Sequence, residues 1–348
     1  MKFRRLIALP IALSAAALTL SACTVDSGGD SKESAGDALI PESGNVEEIT
    51  KIANDAMKGK KIGWVPTGMG IALTENWTSQ LKIGTENLGA ELIMRDANWD
   101  SAKMPDIVDG LINAKVDVLI LHNPDVGVLT SQIQRAKQEG IYVITLNMMP
   151  SQQSDAFVGA DFLAMSAAQA NRVVADCKAK GKTKIATIDG FGTDGSSVAA
   201  RTGWDSVFKD SGLEVVSQQS ANYLAPEANK IARTVLQQTP DLCAFVGNWD
   251  TMMLGASQAV QQAKKVGEVG VYSLDASESA CANIKNGSLT ATISYSVPAQ
   301  GAVVMALIQA FIQSGRGAGS VRAVTFLPYE MLDKSNVDKV STACYGNQ

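Results

Sequence analysis

The chain has 348 residues, 46% of them hydrophobic, with 30 Lys and Arg against 35 Asp and Glu and a formal net charge of −5. This length predicts two domains with cores of their own, and the acidic balance argues against a nucleic-acid partner, which clustered basic residues would bind. The single histidine, His122, excludes a zinc site built on several histidines and any catalytic device that needs two.

The first 22 residues have the pattern of a secretory signal peptide. Basic residues at Lys2, Arg4 and Arg5 precede an apolar stretch that is too short for a typical membrane span. The sequence that follows, Leu-Ser-Ala-Cys, resembles a bacterial lipobox and predicts a lipid anchor on Cys23 at the extracytoplasmic face of the cell membrane. An ordinary signal peptide followed by an incidental cysteine is the alternative. Residues 23–45 are rich in Ser, Gly, Asp and Glu and are predicted to form a flexible tether.

From residue 60 onward, short β-branched runs alternate with longer amphipathic stretches. The predicted strands are 61–66, 91–95, 117–121, 142–147, 156–160, 184–189, 214–217, 244–248, 270–275, 290–295 and 324–329. The predicted helices include 105–114, 128–139, 165–180, 197–210, 226–238, 251–264 and 299–314. Strands that alternate with helical crossovers favour parallel sheets covered on both faces, which makes this an α/β protein.

The alternation also looks duplicated, with one series of βα units from about 60 to 150 and a similar one from about 160 to 290. We therefore predict two doubly wound, Rossmann-like lobes with parallel sheets. Each would present its ligand loops at the carboxyl ends of its strands. Two such edges that face one another form a cleft, a common place for a small-molecule site.

Residues 190–195 read GFGTDG, a literal GxGxxG pattern between a predicted strand and a predicted helix. In a dinucleotide fold these glycines would let the backbone approach a pyrophosphate. The pattern lies in the second half of the chain, however, and the next strand does not end on an acidic residue. We therefore expect no nucleotide cofactor, and a tight turn near another ligand instead.

His122 follows a predicted strand and has no GxSxG nucleophile elbow to serve. We predict a structural or hydrogen-bonding histidine in a β–α loop. Without a nucleophile and base, the chain is not expected to be an enzyme, and no metal site is expected.

Polar and aromatic residues stand where several predicted strands end: Asn147, Asp161, Asn248, Trp249, Asp275 and Tyr295. Acidic and amide groups offer paired donors and acceptors to neighbouring hydroxyls, and aromatic rings cover the C–H face of a sugar. Helix caps and turns would use the same residue types, so composition alone leaves both interpretations open.

The stretch from about 60 to 332 resembles the bacterial type I periplasmic binding proteins, specifically the ribose-type sugar-binding proteins of ABC importers. The resemblance is carried by KIGWVPTG, LILHNPD, YVITLN, FVGADFLA, SSVAARTGWDSVF, AFVGNWDTMMLGA, VYSLDASESACANIKNGSLTATISYS and FLPYEML. It implies two lobes joined by a three-strand hinge near residues 161, 295 and 325. The N-terminal lobe would comprise 46–160 plus 296–324, and the C-terminal lobe 161–295 plus 325–348.

The resemblance also implies ligand residues. Arg201 matches an arginine that contacts the sugar, Asp275 an acid that receives ring hydroxyls, and Tyr223 lies near a stacking aromatic. Tyr295 matches a polar contact at a crossover, and Asp161 matches a position close to the hinge.

Three positions depart from the ribose pattern. Asn147 stands in place of Asp, Met148 in place of Arg, and Trp249 in place of an amide. At the first strand, either Thr74 or Trp77 would fill the aromatic wall position. These departures predict a more apolar pocket, suited to a different sugar, a polyol or a modified sugar.

The implied function is that of a lipid-anchored, monomeric solute-binding protein whose lobes close on the ligand and dock on a membrane permease, without a cofactor. A receptor for chemosensory or quorum-type signalling is the alternative. The effector domain of a LacI-type repressor shares this fold but would need an N-terminal helix-turn-helix, where this chain has an export signal.

Four further cysteines, Cys177, Cys243, Cys281 and Cys344, are even in number, and export permits disulfides. Three pairings are possible. The family resemblance implies that Cys281 and Cys344 share the C-terminal lobe, and Cys177 would then pair with Cys243. Free buried thiols are the alternative.

Overall fold

Two six-stranded sheets with helices on their faces make up the part of the chain that the computed structural model describes, residues 44–123, 125–340 and 344–346. The predicted signal peptide, the anchor Cys23 and nearly all of the predicted tether lie outside these residues. Within the described ranges, no helix is long and apolar enough to cross a membrane.

The strands are β1 Lys61–Val65, β2 Glu91–Met94, β3 Val118–Leu121, β4 Tyr142–Leu146, β5 Ala156–Gly159, β6 Lys184–Asp189, β7 Glu214–Ser220, β8 Ala244–Gly247, β9 Gly270–Leu274, β10 Ala291–Ser294, β11 Ala323–Phe326 and β12 Glu330–Asp333. The helices are α1 Val46–Asp55, α2 Ala72–Leu88, α3 Met104–Asn113, α4 Thr130–Gln138, α5 Phe162–Ala179, α6 Gly195–Phe208, α7 Ala225–Gln238, α8 Asp250–Gln262, α9 Glu278–Asn286 and α10 Val297–Gln313. A short 3-10 turn, Ser101–Lys103, precedes α3.

The first sheet has the order β11-β5-β4-β3-β1-β2, and all of its neighbouring strands are parallel. The second sheet has the order β12-β10-β9-β8-β6-β7 and is parallel except for β12. The direction of winding reverses between β1 and β3 and between β6 and β8, which are the switch points where doubly wound folds bind ligands. The predicted α/β fold with two doubly wound lobes is confirmed.

Strand β12 is antiparallel to β10 and was not predicted from the sequence. Residues 325 and 326 still pair with β5 in the first sheet, so the predicted lobe boundary at 325 moves to the link 327–329. This short link joins the carboxyl end of β11 to the second sheet. Because the carboxyl edges of both sheets face the cleft, the chain enters the second sheet from that edge and must run against its parallel strands.

The other two passages between the sheets follow β5 and β10. Helix α5 packs on α6 in the second lobe, and α10 returns to pack on α2 in the first. The passages therefore lie between Gly159 and Phe162 and between Ser294 and Val297. The remaining predicted lobe boundaries stay proposals.

Strands β3 and β4 are buried along their whole length, as expected for continuous apolar runs covered by helices on both faces. One apolar cluster continues from lobe to lobe. It includes Trp64 and Trp77 from the first lobe together with Leu274 and Tyr295 from the second. This cluster therefore packs apolar side chains of both lobes together.

The structure joins Cys177 in α5 to Cys243, the residue directly before β8, with Cα atoms 5.8 Å apart. It joins Cys281 in α9 to Cys344 near the C-terminus, with Cα atoms 6.2 Å apart. Of the three pairings left open by the sequence, this is the one that the family resemblance implies. Both disulfides lie within the second lobe, where they tie a helix to a strand and a helix to the terminal segment.

Candidate functional site

A cavity lies between the carboxyl edges of the two sheets. At the rim the lobes touch, since the Val126 N–H donates a hydrogen bond to the Thr193 carbonyl at 3.2 Å. The lining residues are Ile71, Leu73, Trp99, His122, Asn147, Met148, Phe162, Ser196, Tyr223, Asn248, Trp249 and Asp275. Both lobes therefore contribute residues to one site.

The buried polar residues of the cavity follow the central strands. His122 comes directly after β3, and Asn248 comes directly after β8, so each lies at the switch point of its sheet. Asn147 follows β4, and its Oδ1 accepts a weak hydrogen bond from Gln300 Nε2 at 3.4 Å. Since these side chains extend from the ends of rigid parallel strands, their positions are set by the sheets rather than by loops.

Asp275 follows β9 and is the acidic residue of the cavity lining. Its N–H donates to the Ile293 carbonyl at 2.8 Å, while its side-chain Oδ1 is buried without a hydrogen-bond partner among the described residues. Burial raises the pKa of this carboxyl well above its usual value, and the nearby Asp250 carboxylate adds to the effect, while contact with the Tyr295 hydroxyl acts against it. Asp275 thus offers an unsatisfied oxygen to whatever occupies the cavity.

Several cavity residues have left-handed backbone conformations. The φ angle is 63° at Trp99, 64° at Asn147, 60° at Tyr223 and 99° at Asp275. Residues other than glycine adopt such angles rarely, and they persist where the surrounding structure holds them, most often at functional sites. At Trp99 the holding contacts are a hydrogen bond from its N–H to the Thr67 carbonyl at 2.8 Å and the close approach of its ring to Gly68.

Aromatic rings form the second-lobe wall. Tyr223 meets Trp249 edge to face, with ring centroids 5.4 Å apart. The Tyr223 hydroxyl donates to Asp194 Oδ2 at 2.9 Å, and its pKa is raised well above the usual value by burial and by the Asp194 charge. Because its hydroxyl is already engaged, Tyr223 presents ring surface to the cavity.

The GxGxxG segment packs against protein groups. A Cβ on Gly190 would lie 2.0 Å from the Tyr223 ring, and one on Gly195 would lie 2.6 Å from the Met149 carbonyl oxygen. Asp194 caps α6, and its Oδ1 accepts a hydrogen bond from the Ser197 N–H at 2.8 Å. These glycines make room for the aromatic wall and for the approach of the two lobes.

This packing predicts different effects of substitution at two glycines of the same motif. Gly190→Ala should displace Tyr223 and weaken ligand binding, because the added methyl group overlaps the tyrosine ring. Gly192→Ala is the matched control, since its Cβ would meet only Ser220 Oγ at 3.9 Å. Isothermal titration calorimetry with a ligand found by the screen proposed below would compare the two variants. Equal affinities would show that the Gly190 contact does not support the wall.

Two residues proposed for the first-lobe wall lie behind the cavity instead. Trp77 is fully buried in α2, where it packs edge to face on Trp64 at 6.4 Å and on His122 at 5.0 Å. Thr74 is also fully buried, and its hydroxyl donates to the Ile71 carbonyl at 3.3 Å. Because α2 begins at Ala72, the turn before the helix and its first residues reach the cavity, so Ile71 and Leu73 line it.

Asp161, Arg201 and Tyr295 are also absent from the described cavity lining. Asp161 caps α5, accepting from the Ala164 N–H at 2.9 Å. Arg201 forms an ion pair with the buried Asp189 at 2.5 Å and also donates to the Gly192 carbonyl. Tyr295 is fully buried against Phe162, a cavity residue, with ring centroids 5.8 Å apart. Of these three side chains, Tyr295 is the one that packs against a residue of the cavity lining.

Of the residues predicted from the sequence to contact the ligand, Asn147, Tyr223, Trp249 and Asp275 line the cavity. Other lining residues, including His122 and Trp99, were not predicted as ligand contacts. The position of His122 directly after a strand could have indicated a cavity residue, although the sequence pattern predicted a structural histidine. Trp99 carried no comparable signal, because it reaches the cavity only through the left-handed loop that follows β2.

Comparison with known families gives a match to the periplasmic binding protein domain over residues 62–317. The ribose import binding protein of Bacillus subtilis strain 168 is 28% identical over 205 residues, which cover 59% of this chain and 66% of that protein. The D-allose-binding periplasmic protein of Escherichia coli K12 is 30% identical over 197 residues, covering 54% of this chain and 63% of that one. The matched region thus spans slightly less than two thirds of these relatives' lengths.

Solved structures share the fold over most of the described chain. An ABC transporter solute binding protein from Bacillus halodurans C-125 with bound myo-inositol superposes with a TM-score of 0.74 at 25% identity, covering 82% of this chain and 99% of that one. A carbohydrate transporter solute binding protein from Agrobacterium radiobacter in complex with D-arabinose gives a TM-score of 0.76 at 16% identity, covering 82% and 97%.

Proposed function

The chain belongs to the periplasmic binding protein domain family, and from this premise we propose that it is an extracytoplasmic solute-binding protein of an ABC importer that captures a sugar or sugar-like polyol. The observation that carries the proposal is the cavity between the lobes, where buried polar groups at strand ends face aromatic rings. A polyhydroxylated ring needs this combination. Its hydroxyls require paired donors and acceptors, and its C–H faces require flat apolar surface.

The proposed ligand contacts are divided between the lobes. Asn147 belongs to the first lobe, while Tyr223, Trp249 and Asp275 belong to the second. None of the described residues that line the cavity is Lys or Arg. The cavity therefore suits an uncharged ligand with apolar surface, in keeping with the departures of Asn147, Met148 and Trp249 from the ribose pattern.

Ligand capture would proceed by hinge closure. A ligand held by residues of both lobes binds the closed form more tightly than the open form, and this difference shifts the population toward closure. The links after β5, β10 and β11 are where the chain passes between the sheets and would form the hinge. The closed protein would dock as a monomer on a membrane permease, and we propose that a lipid on Cys23 holds it at the extracytoplasmic face of the membrane.

A thermal-shift screen tests the proposal on the purified protein, with D-ribose, D-allose, D-xylose, D-arabinose, xylitol and myo-inositol as probes. A ligand present at about 100 times its Kd stabilises the native state by about 2.7 kcal/mol, which corresponds to a shift of several degrees in a protein of this size. We expect such a shift with at least one probe, followed by a saturable calorimetric titration. The absence of a shift with every carbohydrate would contradict sugar binding and favour the signalling alternative.

A further inference from the structure

His122 lies on the inner wall of the cavity with only 2% of its surface exposed. Its backbone is held from both sides. The His122 N–H donates to the Val65 carbonyl at 3.0 Å, and the His122 carbonyl accepts from Thr67 Oγ1 at 2.8 Å. These bonds continue the pairing of β3 with β1. The rigid sheet therefore fixes the backbone position from which the imidazole extends.

The imidazole itself has no polar partner in the part of the chain that the structure describes. Both Nδ1 and Nε2 are buried, and neither makes a hydrogen bond with the described residues. The ring packs edge to face on Trp77, with centroids 5.0 Å apart and planes inclined by 78°. The Trp77 indole nitrogen is also without a partner, so this contact does not satisfy the imidazole. Leaving buried polar atoms unsatisfied costs stability. Because His122 lines the cavity, the space from which a partner can reach the imidazole is the cavity itself.

We propose that His122 is a ligand-contacting residue that sets specificity, its imidazole hydrogen-bonding a hydroxyl group of the bound sugar or polyol. The inference rests on the proposed function, because it assigns a partner to His122 within the same cavity. It replaces the structural role predicted from the sequence with a direct role in recognition.

The chemistry of the ring fits a hydroxyl group. Burial lowers the pKa of His122 to about 3, so the imidazole is neutral at physiological pH and offers one N–H donor and one acceptor nitrogen. A hydroxyl group both donates and accepts, and two neighbouring hydroxyls can engage both nitrogens. A carboxylate ligand could use only the donor, would face the Asp275 carboxyl, and would find no Lys or Arg among the described lining residues. The site should therefore prefer uncharged sugars and polyols to uronic acids.

A pair of variants at one position tests the contact. His122→Leu keeps much of the volume and the apolar contact with Trp77 but removes both nitrogens, and it should weaken binding of the sugar found in the screen about tenfold or more. His122→Gln restores a donor and an acceptor and should recover part of the affinity. Melting temperatures of the ligand-free variants would report folding separately from binding.

Thr187→Val is the matched control. The Thr187 hydroxyl is likewise buried without a partner, but it lies in β6 and does not line the cavity. Removing it should leave the Kd unchanged. If His122→Leu binds the wild-type sugar with unchanged Kd, the inference is wrong while the proposed function stands. If the wild-type protein binds none of the probes, the proposed function fails first.

The single histidine of the chain permits a direct test even where the variants fail to fold. In protein labelled with nitrogen-15 and prepared without a histidine tag, the imidazole signals belong to His122 alone. Saturation with the sugar found in the screen should shift both ring nitrogens, whereas the D-glucuronate anion at the same concentration should shift neither. Unchanged imidazole signals at saturation with the sugar would overturn the proposal.

Discussion

Asp275→Asn is expected to weaken sugar binding by about tenfold, because the amide replaces one carboxyl oxygen with an NH₂ group and so removes a hydrogen-bond partner of roughly 1.5 kcal/mol. The side chain is 3% exposed, lines the cavity and has an unpartnered Oδ1. Asparagine has nearly the same shape and tolerates the left-handed backbone at this position, where φ is 99°. The change therefore alters the chemistry presented to the ligand and little else.

The same substitution should leave the ligand-free protein at least as stable as the wild type. The Asp275 carboxyl is buried near a second buried carboxyl, Asp250, and both have pKa values raised by burial. A neutral amide avoids the desolvation of a carboxylate and the repulsion between the two groups. Calorimetric titration and thermal unfolding of the same samples would separate the loss of affinity from any change in folding.

Asp161→Asn is the control for this experiment. Both Asp161 and Asp275 were predicted from the sequence to contact the ligand. In the structure, Asp161 instead caps the N-terminus of α5. Asparagine is an equally good cap, so neither affinity nor stability should change appreciably. If Asp161→Asn weakens binding as much as Asp275→Asn, the assignment of the two residues by the cavity is wrong.

Removal of the Cys177–Cys243 disulfide is expected to have the largest effect on stability. The bond links residues 66 apart in sequence, and both cysteines are almost completely buried. Without this cross-link the unfolded chain regains the entropy of an open loop of this length, which favours unfolding by about 4 kcal/mol in the chain-entropy description. The double variant Cys177→Ala/Cys243→Ala should therefore lose about that much free energy of unfolding, measured by denaturant titration.

The second disulfide provides the comparison. Cys281–Cys344 closes a similar separation of 63 residues, but one of its ends lies in the terminal segment 344–346. Without this bond the native chain can release that segment and regain conformational freedom without unfolding. Cys281→Ala/Cys344→Ala should therefore lose less stability than the first pair. Wild-type stability in the Cys177→Ala/Cys243→Ala variant would contradict the expectation.

The sequence by itself determined most of the succession of strands and helices along the chain and the class of fold. The runs VLIL of β3 and YVITL of β4 are apolar at every position because both faces of a parallel sheet are covered, so local composition predicts them directly. The same reasoning missed β12, whose direction depends on where the chain crosses between the sheets.

Only the tertiary structure decided which strand-end residues form the site. Asp275 and Asn147 reach the cavity, whereas Arg201 is engaged by Asp189 and Tyr295 lies one layer behind against Phe162. Asp275, Asn147 and Tyr295 all follow strands, while Arg201 lies in α6, and all four were predicted to contact the ligand. These four residues differ in which neighbours contact or hydrogen-bond their side chains. The neighbours are distant in sequence, and the spacing of residues along the chain does not encode them. His122 shows the converse, since only the tertiary structure reveals that its imidazole has no hydrogen-bond partner among the described residues.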